Sequence, residues 1–137
     1  MKRFVTTMGT MILMTMMCVA VLLTAGCAKP SATQLAEGMV DSMAKGDFAS
    51  ATKGFDATMN AAMSAERLGQ TWAQVTAQAG AFKSRTGNRV AQEAGFQCVY
   101  VTCQFEKASL DIKVVIGGSG QVSGLWIVPT QSAQGGK

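Results

Sequence analysis

Phe96-Gln97-Cys98-Val99-Tyr100-Val101-Thr102-Cys103-Gln104-Phe105 alternates with a period of two, so Val99, Val101, Cys103 and Phe105 share one face while Cys98, Tyr100, Thr102 and Gln104 share the other. One face is apolar and the other mixed, as expected of a strand covered on one side. Downstream, Leu110, Ile112, Val114 and Ile116 alternate with Asp111, Lys113 and Val115. Gly117-Gly118-Ser119-Gly120 is a turn, and Val122 to Val128 is another strand. Upstream, Phe82 to Gln92 forms a less regular strand with Gly87 as a bulge or bend. Links this short make neighbouring strands antiparallel, so the sheet is a meander of about four strands.

Before Gly80 the spacing is helical. Leu35, Met39, Val40 and Met43 fall on one stripe, Gly46 stops it, and Asp47 caps a short helix around Phe48 to Lys53. Phe55 to Met63 supplies another apolar turn or two, with Asp56 at a turn or helix start. Ser64 then opens a helix in which Leu68, Trp72 and Val75 recur along one face. Helices followed by an antiparallel meander predict an α+β domain over residues 34–129, with the helices on one face of the sheet.

The chain opens differently. Lys2 and Arg3 precede a run with no charge from Phe4 to Ala28, which includes Leu23-Thr24-Ala25-Gly26-Cys27. That order reads as a secretory signal and resembles a bacterial lipoprotein signal, with cleavage after residue 26 and acylation of Cys27. An uncleaved amino-terminal helix is the alternative, and both tether the domain outside the cytoplasm. The expected localisation is the cell membrane or outer membrane, reached through the lipid anchor. Residues 27–33 would be the lipidated start and a short linker, and 130–137 a frayed tail.

Without the signal the chain keeps about 111 residues and its net charge falls from +4 to +2. That charge is too small and too evenly spread to suggest nucleic acid. No cofactor is implied. With no His in the chain, and with Cys98 and Cys103 about 16 Å apart on opposite faces of one strand, neither a metal site nor a disulfide between them is expected. The lack of His also excludes a Ser-His-Asp or Cys-His nucleophile. Asp47 and Asp56 read as caps and Glu66 as a first-turn carboxylate, so no catalytic residue is assigned.

Gly46-Asp47-Phe48, Phe55-Asp56 with Thr58-Met59, Trp72, Gly80 with Phe82, Val101-Thr102-Cys103 with Phe105-Glu106, and Val122 with Gly124-Leu125-Trp126 and Pro129 together resemble the pattern of domain-of-unknown-function family 3887. The resemblance spans roughly Leu35 to Pro129. It implies a cone fold of the nuclear-transport-factor-2-like kind, a curved sheet wrapped around helices, and carries over no catalytic residue.

A cone often encloses a pocket. Phe48, Phe55, Met59 and Trp72 are then candidates for its apolar wall and Gln74 and Gln78 for polar contacts; the plainer expectation is that the apolar four fill the core. The resemblance also implies dimerisation through the outer sheet surface, where Tyr100, Val115 and Trp126 would lie. On the last strand the alternation sets Val122, Trp126 and Val128 against Leu125 and Ile127. The function expected is that of a lipid-anchored envelope protein whose domain binds or assembles without catalysis, its partner a second copy or another envelope protein and any small-molecule ligand unknown. The alternative is a small-molecule hydrolase or isomerase using the cone cavity, with Asp47, Asp56, Glu66 and Tyr100 as the available acid/base groups.

Overall fold

A computed structural model of the chain describes residues 29–130. The signal segment, Cys27 and the last seven residues lie outside that range. The order is α1 (Ala32–Ala44), α2 (Phe48–Ala51), a 3₁₀ turn (Thr52–Gly54), α3 (Ala57–Ala62), α4 (Ala65–Ala79), β1 (Phe82–Glu93), β2 (Phe96–Phe105), β3 (Ser109–Ile116) and β4 (Val122–Pro129). The strands form one open antiparallel sheet in sequence order, with the helices packed on one face. The fold class is α+β. Among the described residues no helix is long and apolar enough to cross a bilayer.

Each helix starts where a side chain satisfies amides that the helix itself leaves unpaired. Ser31 accepts from Gln34 N–H while the Gln34 side chain accepts from Ser31 N–H, a reciprocal capping box. The box starts α1 at Ala32, two residues before the domain boundary expected from the apolar stripe. Asp47, Asp56 and Ser64 cap α2, α3 and α4 in the same manner. Because Asp56 accepts from Met59 N–H at 2.7 Å, α3 begins after it. Phe55 is left extended and makes a parallel bridge to Val122 instead of joining a helical turn. At the other end of α4, Gly80 adopts φ +84°, and a Cβ there would lie 2.6 Å from that of Glu106. Only glycine turns the chain into β1 at that point without strain.

Val99, Val101, Cys103, Phe105, Ile112, Val114 and Ile116 pack beneath Ala36, Met39, Val40, Met43, Leu68 and Trp72. Trp72, Phe82 and Phe105 form a three-ring cluster with centroids 5.6 to 6.0 Å apart. Where β1 runs out from under the helices, charge takes over. Arg85 grips Asp41 with a fork of 2.8 and 3.2 Å and reaches Glu37 at 2.9 Å, tying α1 to the edge of the sheet. The register of β1 against β2 slips between Phe82 and Ser84 and again between Arg85 and Gly87, which places the irregularity at the glycine the sequence singles out.

One expectation fails on β4. The register slips between Val115 and Ile116, so Ser123 is the extra residue, and Val122 lies opposite Ile116 with no exposed surface. Val122 therefore faces the core with Leu125 and Ile127, while Trp126 points to the other side. A single inserted residue reverses the parity that simple alternation predicts.

Candidate functional site

The uncovered face of the sheet collects residues from all four strands. Tyr100 lies opposite Arg89 on β1 and Lys113 on β3, and Lys113 lies opposite Trp126 on β4. These side chains form a row across the outer face because residues paired in register point the same way. The Tyr100 hydroxyl donates to Glu93, and Lys113 donates to the same carboxylate at 2.5 Å. The Arg89 guanidinium stacks on the Tyr100 ring, 3.6 Å from its centroid. Tyr100 is consequently only 8% exposed although no helix covers it. Beside it, Asp111 is 2% exposed, accepts from the Thr102 hydroxyl at 2.8 Å and faces Arg89 at 3.9 Å.

The paired charges on this face are poorly suited to acid/base work. Hydrogen bonds from Lys113 and then Tyr100 hold the Glu93 carboxyl below its ordinary value, and Glu93 in turn pushes Lys113 up. Both stay charged through neutral pH. A general base needs the opposite tuning.

Next to this network lies a groove of about 490 Å³ whose walls include Phe96, Trp126 and Val128, with Cys98 and Val115 between them. Phe96 is 45% exposed and Trp126 53% exposed. The indole folds back over Gly124, where a Cβ would come within 2.4 Å of its ring. An aromatic thus shields a glycine on the sheet surface. A second opening of about 520 Å³ lies between α4 and the ends of β3 and β4, lined by Val75, Gln78, Leu110, Leu125, Ile127 and Pro129 among others.

The residues proposed for an interior pocket separate. Phe55, Met59 and Trp72 are buried in the core, and Phe48 is half-buried with its ring against Gly69 of α4. Gln74 is exposed, and Gln78 is exposed at the rim of the second opening. Of the residues proposed for the outer surface, Tyr100, Val115 and Trp126 do share that face, Tyr100 beneath Arg89 and the other two on the groove. Phe96 and the Glu93–Lys113 pair were not singled out. Phe96 carried a readable signal, since it has the parity of Tyr100 on the same strand; Glu93 did not, because its role depends on register across three strands.

The remaining acidic candidates are occupied structurally. Asp47 accepts from Ser50 N–H, and the Ser50 side chain followed by that N–H holds its carboxyl below the ordinary value; Asp56 accepts from Met59 N–H and the Ser123 hydroxyl, which hold its carboxyl down likewise. Glu66 sits exposed in the first turn of α4. Cys98 and Cys103 are buried free thiols on opposite faces of β2, and burial pushes the Cys103 thiol up to about 12. Among the described residues no three of Asp, Glu, Cys or His converge to hold a metal ion.

A family model described as "Protein of unknown function (DUF3887)" matches residues 36–125, which include most of α1, the other three α-helices and nearly the whole sheet. The chain belongs to the DUF3887 family. No curated protein and no solved structure matches it. The DUF3887 match takes in Tyr100, Lys113 and Phe96 but ends one residue before Trp126.

Proposed function

We propose that this DUF3887 chain is a lipid-anchored envelope protein, acylated at Cys27, whose domain binds without catalysis through the outer face of its sheet, with a second copy of the chain as the partner. The anchor rests on the charged start, the uncharged run and the small residues before Cys27. We read the domain as a cone of the nuclear-transport-factor-2-like kind, a reading supported by a single antiparallel sheet with helices on one face and register slips in β1 and β4, where bulges would increase its curvature.

The observation that carries the binding reading is the pairing of two exposed aromatic residues, Phe96 and Trp126, on one groove beside charges that are already neutralised. Apolar surface of this kind favours a partner. Lys113 with Glu93 and Arg89 with Asp111 balance in sign, so two copies of the face meet without like-charge repulsion. Confinement to a bilayer would raise the effective concentration of copies further.

Intact mass of the chain extracted from membranes tests the anchor: diacylation at Cys27 is expected, and an unmodified chain starting at Met1 contradicts it. For the partner, a photo-crosslinker at position 126 in the native envelope should trap a species of twice the chain's mass. A crosslink only to a different protein would replace the second copy with another partner, and the absence of any adduct would contradict binding at this face.

A further inference from the structure

The start of the described chain is fixed against one end of the sheet. Lys29 donates from Nζ to the Ser119 carbonyl at 2.5 Å, and its side chain lies on Gly120, where a Cβ would come within 2.6 Å of Nζ. Lys29 and Pro30 line one cavity with Gln92, Gly95, Gln97 and Gly118. In an antiparallel meander the β1–β2 and β3–β4 turns share an end, so the turn at Ala94–Gly95 and the loop Gly117–Gln121 both lie beside the chain's entry. The β2–β3 turn, with Glu106 and Lys107, lies at the opposite end, roughly 30 Å away along the strands of β2 at ~3.3 Å per residue.

Resting on the acylation proposed above, we infer that the end of the domain formed by Ala94–Gly95 and Gly117–Gln121 is laid against the lipid headgroups. Cys27 precedes Lys29 by two residues, which span at most about 7 Å. That tether is far shorter than the domain. The chemistry at this end agrees: Phe96 is exposed, Lys29 is a cation near its surface, and the carboxylates beside the two turns are occupied, Glu93 by Lys113 and Tyr100 and Asp56 by Ser123 and Met59 N–H. Aromatic rings and long basic side chains are the groups that sit well at a bilayer interface. With this end down, the outer face stands upright, and the Trp126 groove opens sideways toward copies moving in the same leaflet.

The test uses the full acylated chain in phosphatidylethanolamine–phosphatidylglycerol vesicles that carry a headgroup quencher. One sample bears a fluorophore on Gly118→Cys, a position where an added Cβ meets nothing within 4 Å, and the other on Lys107→Cys at the far end. Cys98 and Cys103 are buried and should not label in the folded chain. Quenching at 118 several-fold stronger than at 107 is the expected result. Equal quenching, or stronger quenching at 107, in a chain whose mass confirms acylation overturns the orientation alone. A chain of unacylated mass overturns the anchor and the orientation with it.

Discussion

The two faces of one strand, β2, are both buried but by different means. On one, Val99, Val101, Cys103 and Phe105 are at most 1% exposed, covered by helices. On the other, Cys98 and Tyr100 are nearly as buried, but under long charged side chains and an indole instead of a second layer of structure. The first face is closed by apolar packing, which is insensitive to salt and pH. The second is closed by Arg89, Lys113, Glu93 and Trp126, whose hold on one another rests on hydrogen bonds, ion pairs and stacking. Burial alone therefore does not separate the helix-covered face from the face we propose for binding; what does the covering does.

The largest contrast should come from removing a ring on each side. Phe105→Ala takes one member out of the Trp72–Phe82–Phe105 cluster and should cost about 3–5 kcal/mol in denaturant unfolding. Trp126→Ala, on the outer face, should cost about 1 kcal/mol or less. Comparable losses would erase the distinction between the faces. Asp111→Ala sharpens it from the other direction, since that carboxylate is buried on the outer face with Thr102 and Arg89 as partners. Leaving those partners unsatisfied should cost about 1–3 kcal/mol by the same measurement.

Acid should act more gently and mostly outside the core. Asp56, Asp47, Glu106 and Glu93 are all held below their ordinary values in the folded chain by the hydrogen bonds they accept. The unfolded chain then binds more protons as pH falls. Their contribution is complete above the ordinary values of 3.8 and 4.5 and is lost as pH drops through the lower folded values. Thermal midpoints measured from pH 7 to pH 2 should be flat to about pH 5 and decline below it. A midpoint that rises on acidification would contradict these pairings.

Most of the fold was legible because its signals are local. The period of two over Phe96 to Phe105 marks β2 at both ends, Ser64 and Gly80 bracket α4, and Gly87 sits where β1 slips. What was hidden depends on pairing. Ser123 looks like an ordinary strand residue, yet it is the insertion that turns Val122 inward and leaves Trp126 outside. Phe55 reads as part of a helical turn until its bridge to Val122 is visible. The candidate site divides in the same way: Tyr100, Val115 and Trp126 could be placed on one face by parity, whereas the lattice of Glu93, Lys113 and Arg89 that shields Tyr100 exists only in the register of three strands.

The central claim, that the outer face is a surface for a second copy, is tested most directly by sedimentation equilibrium of a soluble chain beginning at Lys29, as wild type and as Trp126→Ala, across micromolar concentrations. A reversible dimer in the wild type that weakens to monomer in the variant, with the variant still folded, is the predicted result. A wild type that is strictly monomeric throughout, or a dimer indifferent to the loss of Trp126, would contradict it.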